Sequence, residues 1–261
     1  MGLAVLCLLL AAAALAPYLA THDPTHMDSD ELLRPPGAVH LLGTDQYGRD
    51  LYSRILFGAS ASLQVGIISV GIAASAGLVL GLLSGFYGRW VDLLVMRLID
   101  VMLAFPSILL ALSIVAVLGP GLNNVMVAVG IAGVPVYTRL VRGQVLATKQ
   151  LTYVEAARTT GCGDARIVVR HILPNTLAPV IVLATLGVAG AILAGAALSF
   201  LGLGAQPPSS EWGAMLSDGR NFLRQAWWIT TFPGLAITVT VLAINMMGDG
   251  LRDAFDPRLR T

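Results

Sequence analysis

Residues 151–201 read LTYVEAARTTGCGDARIVVRHILPNTLAPVIVLATLGVAGAILAGAALSFL. The stretch divides at Pro174: Glu155, Arg158, Asp164, Arg166 and Arg170 precede it, and no charged residue follows it as far as Leu201. An uncharged run longer than the roughly 20 residues that a helix needs to cross about 30 Å of hydrocarbon reads as a membrane span. The polar half is then a loop held at one face of the membrane. Within it, Thr152 followed three residues later by Glu155 has the spacing of a capping box, which predicts the start of a short helix. Gly161 can end that helix in the left-handed conformation, and Asp164 can cap a second one. Pro174 can open the span at a position where no amide hydrogen bond is lost. The expectation is a rigid helix, turn, helix element.

The rest of the chain repeats this division of apolar runs and short polar loops. Its 261 residues are 56% hydrophobic and 12% charged, with a mean hydropathy of +0.78. An ordinary soluble domain is about a quarter charged, so composition already indicates a membrane protein. Six candidate spans follow: Gly2 to Ala20, Ala61 to Phe86, Val101 to Gly119, Asn124 to Tyr137 with a polar continuation, Pro174 to Leu201, and Ile229 to Met247. Pro135 interrupts the fourth, which membrane helices tolerate as a kink. A cleaved leader ending near Ala14-Leu15-Ala16 is a competing reading of the first run, but no Lys or Arg precedes it and Pro17 follows at once. The missing basic tail suggests a start further upstream.

Six spans place residues 20–60 and 202–228 on one side and residues 87–100, 138–173 and the C-terminal tail on the other. Of the sixteen Lys and Arg residues, five fall on the first side and eleven on the second. The positive-inside rule makes the second side cytoplasmic, with both termini there. The chain thus divides into a first helix with its extracytoplasmic segment (1–60), a core of five helices that includes loop 151–173 (61–250), and a cytoplasmic tail (251–261).

Small residues recur every fourth position at Ser69, Ala73, Gly77, Gly81 and Gly85, and again at Gly187, Ala191, Gly195 and Ser199. That spacing stacks them on one helix face and lets backbones approach, as membrane helices must when lipid gives them no hydrophobic reason to associate. The spans are nearly free of ionisable groups, with Asp92, Arg97 and Asp100 at the start of the third and Asp249 at the end of the sixth. A proton-coupled secondary transporter, the main alternative of another class, needs an intramembrane carboxylate or histidine.

Other chemistry is excluded more simply. A net charge of +1 without clustered Lys and Arg offers no nucleic-acid surface. Cys7 and Cys162 have neither metal-site nor disulfide spacing. His22 and His26 are four apart, as two metal ligands on a helix would be, but Pro24 between them disfavours that helix; no metal ligand set is expected. The segment GTDQYGRD (43–50) is not a catalytic constellation, since no nucleophile and base accompany it, and reads as a structural turn with Arg49 paired to Asp45 or Asp50, a solute-binding role being the alternative. Trp212, Met215, Leu216, Phe222 and Leu223 have helical spacing and read as an amphipathic helix at the outer interface, a membrane-surface anchor or, alternatively, a contact surface for a partner protein, followed by Trp227 and Trp228 as an aromatic belt. No Gly-x-x-x-x-Gly-Lys-Ser/Thr phosphate cradle occurs, so the chain has no ATP site of its own.

The triplet Glu155-Ala156-Ala157, with Gly161 six residues after the glutamate and Leu173-Pro174 beyond, resembles the EAA loop of binding-protein-dependent ATP-binding-cassette (ABC) importer permeases. His171 stands where that pattern has an isoleucine, with Ile172 beside it. The resemblance extends through HLLGTDQYGRDLYSRILFG (40–58), GFYGRWVD (85–92), DVMLAFPSILLAL (100–112), LSFLGLGAQPPSSEWGAML (198–216) and GDGLRDAFDPRLR (248–260), which are similar to the second permease subunit of dipeptide, oligopeptide and nickel importers. It implies an all-α membrane protein of six transmembrane helices in the type I ABC importer permease fold, with cytoplasmic coupling helices. It further implies a non-catalytic subunit for small peptides, a nickel chelate being the alternative. Its partners would be a related permease in a heterodimer, two ATPase domains carrying ATP and Mg, an extracytoplasmic solute-binding protein and the lipid bilayer. Glu155, Ala156, Ala157, Gly161, Asp164, Leu173 and Pro174 would form the ATPase-coupling loop, and no cofactor would bind this chain.

Overall fold

The computed structural model describes residues 2–255. Among them every regular element is a helix, apart from one antiparallel bridge between Thr44 and Asp50. The α-helices are α1 (Gly2–Ala14), α2 (Ala16–Leu19), α3 (Leu51–Tyr87), α4 (Arg89–Leu103), α5 (Ser107–Leu118), α6 (Leu122–Thr148), α7 (Thr152–Thr159), α8 (Asp164–Ile167), α9 (Leu173–Phe200), α10 (Trp212–Gly219) and α11 (Trp228–Phe255). By length and composition four can cross a membrane: α3, α6, the continuous run of α8 into α9, and α11. The six-span expectation is therefore met in full only if α1 and the bent pair α4 and α5 are counted. The pair turns by 93° at Ala104-Phe105-Pro106. The third span is thus not the single helix expected from Val101 to Gly119. Pro106 lacks an N–H and disfavours helical backbone at Phe105, which breaks the run there. The first run likewise divides, α1 giving way to α2 at Leu15 ahead of Pro17.

Helix α3 is the axis of the molecule. It begins ten residues before the expected Ala61, because Asp50 caps it by accepting from the Ser53 amide at 2.8 Å. At 1.5 Å per residue its 37 residues reach about 55 Å, well beyond the hydrocarbon thickness. The expected stripe of small residues faces α6. A Cβ on Gly81 would stand 2.6 Å from Val141 Cβ, one on Gly85 would stand 2.7 Å from Val145 Cβ, and Ser69 Oγ donates to the Met126 carbonyl at 3.0 Å. The second stripe packs alongside, Gly195 against Val65 and Gly187 against the Tyr137 hydroxyl. Helix α11 lies on α9, and α1 on α11, where a Cβ on Gly2 would stand 2.7 Å from the Ala243 carbonyl.

One end of α3 is enclosed by residues 20–50 and α10. Arg49 is buried and pairs with Asp45, Nε to Oδ2 at 2.6 Å, and with Asp218 at 3.3 Å. Of the two expected partners Asp45 is thus the one used, and Asp50 serves as the helix cap. Burial alone would raise the Asp50 carboxyl, but the Ser53 amide and hydroxyl and the His40 ring outweigh it and hold it below the ordinary carboxylate range. Helix α10 is capped by Glu211, which accepts from the Gly213 and Ala214 amides. Its Trp212 and Met215 are buried in the core beside Leu51, Ala59 and Ile192, so the helix faces inward and is not the surface anchor expected. Trp228 is also buried, its Nε1 donating to the Thr44 carbonyl at 3.1 Å. Of the expected pair, Trp227, 53% exposed, is the one that fits an aromatic belt. Of the expected cytoplasmic tail, residues 256–261, including Arg258 and Arg260, lie outside the described residues.

The α3 to α6 contact can be tested by adding bulk. Gly81→Leu should destabilise the purified protein by about 1–3 kcal/mol through overpacking. Gly71→Leu, where a Cβ meets nothing within 4 Å, should leave the unfolding midpoint in detergent within experimental scatter. Equal shifts for both would refute the packing assigned to the stripe.

Candidate functional site

The expected helix, turn, helix element lies at the other end of α3. Helix α7 is amphipathic at its own short scale: Val154 and Ala157 are buried, while Glu155, Ala156 and Arg158 are exposed. The buried pair joins Phe86 at the end of α3, Val141 and Val145 of α6, and Ile167 and Ile172 further along the loop. Arg158 carries its guanidinium 5.5 Å from the centre of the Phe86 ring. The loop is thus packed against two long helices and presents a polar face to solvent.

The turn is built as the sequence implied. Gly161 has φ +81°, and the amides of Gly161 and Cys162 bond the carbonyls of Arg158 and Ala157 at 3.0 Å each. This paired arrangement ends a helix with its last carbonyls satisfied. The two expected caps did not form. Thr152 is the first helical residue, Leu151 stands at the cap position, and no side chain bonds the first amides there. Asp164 is likewise the first residue of α8, with Gly163 before it. Both acidic side chains lie in a first helical turn, where the helix dipole favours negative charge without a cap bond.

A larger departure occurs at Pro174. Helix α8 does not stop before the span: it continues through a π-turn, Val168–Ile172, directly into α9. The Leu173 amide reaches back five residues to Val168, and the wider turn relieves the clash that a proline ring makes with the preceding turn of an α-helix. Half-buried Leu173 and exposed Pro174 therefore sit inside one continuous rod from Asp164 to Phe200. Ile172 is fully buried, filling the core beside the half-exposed His171.

Further side chains brace the loop. Asn175 Nδ2 donates to the His171 carbonyl at 2.7 Å and to the Tyr153 hydroxyl at 3.0 Å, tying α7 to α9. Lys149 Nζ donates to the Gly85 carbonyl at 3.0 Å. Arg142 grips Asp92 with two bonds of 2.6 and 2.7 Å, and Arg139 meets Asp100 at 2.7 Å, which fixes α4 to α6. These partners lie 39 to 64 residues apart in Arg139 with Asp100, Arg142 with Asp92, and Lys149 with Gly85, so nothing in local spacing announces them.

Between the two ends, α3, α5, α6 and α9 line a cavity of about 310 Å³. Its walls are small or apolar, including Val70, Ala111, Gly187 and Ala191, with Ser69, Ser107 and Tyr137 as polar points. Val136, 51% exposed, and Ile108, 43% exposed, stand at its open side.

Residues 77–261 match the family described as binding-protein-dependent transport system inner membrane component. The chain is 49% identical over 260 residues to the dipeptide transport system permease protein DppC of Alkalihalophilus pseudofirmus, covering 100% of this chain and 86% of that one. It is also 49% identical to the glutathione transport system permease protein GsiD of Pectobacterium atrosepticum, over 100% of this chain and 86% of that one. Among solved structures, the inward-facing MetNI methionine ABC transporter shares the fold with a TM-score of 0.62 at 19% identity, covering 78% of this chain and 97% of that one. The chain belongs to the binding-protein-dependent transport system inner membrane component family, and is a non-catalytic, multi-pass permease subunit of an ABC importer.

Proposed function

We propose that the chain is the translocation subunit for short peptides, coupled to ATP hydrolysis through loop 151–173. The observation that carries the coupling role is the continuity of the exposed α7, Gly161 and α8 element with α9. A force applied to α8 reaches the span without passing through a flexible joint, because the π-turn keeps the backbone hydrogen-bonded. The docking face comprises Glu155, Ala156 and Asp164, with Ala157 buried beneath it. ATP and Mg belong to two partner ATPase subunits. Movement of α9 against α3 and α6 would reshape the cavity that these helices share, a rigid-body switch between packed states.

The peptide assignment rests on relatives whose names specify dipeptide and glutathione transport. A proton-driven mechanism has no support in the spans: residues 61–86, 107–118, 173–200 and 229–248 carry no Asp, Glu, Lys, Arg or His. One coupling loop per chain calls for a second permease to serve the second ATPase, and the likeness to the second subunit of peptide importers makes that partner a related chain in a heterodimer. A solute-binding protein would deliver from the opposite face, where residues 20–50 and α10 lie.

Two measurements test this reading. Gly161→Val meets no steric obstacle, yet holding a β-branched residue at φ +81° costs about 1–2 kcal/mol, enough to reduce a docking-competent population roughly 5–30-fold. Solute-stimulated ATP hydrolysis and uptake by the reconstituted complex should fall accordingly at unchanged membrane abundance, with a milder loss for Glu155→Ala. Full coupled activity in Gly161→Val would remove the coupling role. In a chain with Cys7 and Cys162 replaced by Ser, cysteines introduced at Ala165 and Arg224 should react with an impermeant reagent from opposite sides, Ala165→Cys only after cells are opened. Labelling of both from outside would overturn the orientation.

A further inference from the structure

The segment between α2 and α3 gathers three of the four histidines around one cavity of about 270 Å³. One wall is formed by His22, His40 and Asp50, and Asp23, Asp28 and Glu31 also line it. No Lys or Arg lines the cavity among the described residues. His22 and His26, paired by sequence spacing, are not the pair the fold uses. The His22 and His40 rings lie 4.6 Å apart between centroids, inclined by 33°.

Both Nδ1 atoms stand near one carboxylate oxygen, His22 Nδ1 having a closer partner in the Thr21 hydroxyl at 3.0 Å. His40 Nδ1 is 2.8 Å from Asp50 Oδ1 and His22 Nδ1 is 3.7 Å from it. One ligand-capable atom from each of the three residues lies within 4.8 Å of the other two. The other carboxylate oxygen is already occupied: Asp50 Oδ2 accepts from the Ser53 amide at 2.8 Å, the Ser53 hydroxyl at 2.7 Å and the Thr21 hydroxyl at 3.3 Å. The His22 amide in turn donates to Ser53 Oγ at 3.1 Å. Asp50 is 2% exposed and its orientation is set by its duty as the α3 cap, so Oδ1 is aimed at the imidazoles by the fold itself.

We infer that His22, His40 and Asp50 form a binding site for one divalent transition-metal ion of the zinc class, which clamps the chain leaving α2 to the start of α3. Zinc bonds of about 2.0–2.2 Å to nitrogen and oxygen place neighbouring tetrahedral ligands roughly 3.3 Å apart, and the two separations from Asp50 Oδ1 bracket that value. Binding takes both imidazoles neutral, with the proton on Nε2 and the Nδ1 lone pair directed at the metal, so His22 Nδ1 exchanges its bond to the Thr21 hydroxyl for the ion. Asp50 Oδ1 supplies the anionic ligand, and the Ser53 and Thr21 bonds to Oδ2 are the outer contacts that hold a ligating carboxylate in place. The remaining position opens on the cavity, where Asp23 and Asp28 add negative charge that attracts a cation, Glu31 being paired with Arg34 at 3.1 Å. Two nitrogens and one carboxylate suit zinc or nickel over magnesium, which prefers all-oxygen octahedral surroundings. The inference is independent of the transported solute.

The test uses the full chain in detergent, stripped with a chelator, supplied with zinc chloride and desalted. Elemental analysis should find about one equivalent of zinc per chain, with an apparent unfolding temperature several degrees above the stripped protein; magnesium chloride should produce neither. The double variant His22→Gln/His40→Gln should lose both responses, while His26→Gln and His171→Gln keep them. His22→Gln alone, at the more exposed ring, should weaken zinc retention by about tenfold or more, and it provides the readout if the double variant does not fold. Failure of the wild-type chain to retain zinc, or equal retention by the His22 and His40 variants, would reduce the cluster to a hydrogen-bonded His–Asp pair and overturn the site.

Discussion

The close approach of α3 to α6 and α9 is the contact on which the rest of the molecule depends. In lipid, two apolar helices gain nothing from leaving water, so association rests on how near their backbones can come. Gly77, Gly81 and Gly85 allow that approach along α6, where Tyr137, Val141 and Val145 occupy the space a side chain would fill. The same helix meets Gly195 of α9 through Val65. With α3 fixed on both neighbours, its two ends become reference points: the Asp50 cap for the residues 20–50 segment, and Phe86 for the loop that follows α6.

That geometry explains why so few polar interactions suffice to hold the loop. Val154, Ala157, Ile167 and Ile172 share one buried cluster with Phe86, Val141 and Val145, so α7 and α8 are seated on the long helices by ordinary apolar burial. Asn175 and Tyr153 then fix the angle of α7 to α9. The π-turn is the counterpart on the covalent side. A helix that ended at Ile167 would have left a hinge before Pro174; the rod that runs instead from Asp164 to Phe200 has none.

The opposite end follows a different logic, in which charge is buried and neutralised. Arg49 with Asp45 and Asp218, and Asp50 with His40, His22, Ser53 and Thr21, hold together segments far apart in the chain. Arg54 Nε stands 3.5 Å from Asp45 Oδ2 without hydrogen-bond alignment, while its Nη2 donates to the Ser209 carbonyl. Removing one partner from such a network leaves the other charge buried and unpaired, which costs more than the intact pair contributes. Trp228, Trp212 and Met215 seal this end with apolar surface that a bilayer interface would otherwise have received.

The sequence by itself determined the membrane class, the loop between α6 and α9, the glycine turn and the small-residue faces, because each rests on a local property: uncharged length, backbone freedom at Gly161, or a four-residue period. It also carried the resemblance to importer permeases through Glu155-Ala156-Ala157 and the segments around it. Only the tertiary structure decided the rest. Whether Thr152 and Asp164 cap their helices depends on where the preceding residues are held, and packing placed both one position inside. The break at Phe105-Pro106 and the π-turn before Pro174 are two outcomes for the same residue type, since flanking helices decide whether a proline bends a rod or is absorbed by it. The inward turn of Trp212 and the meeting of His22 with His40 arise from contacts between segments remote in sequence, which no local pattern encodes.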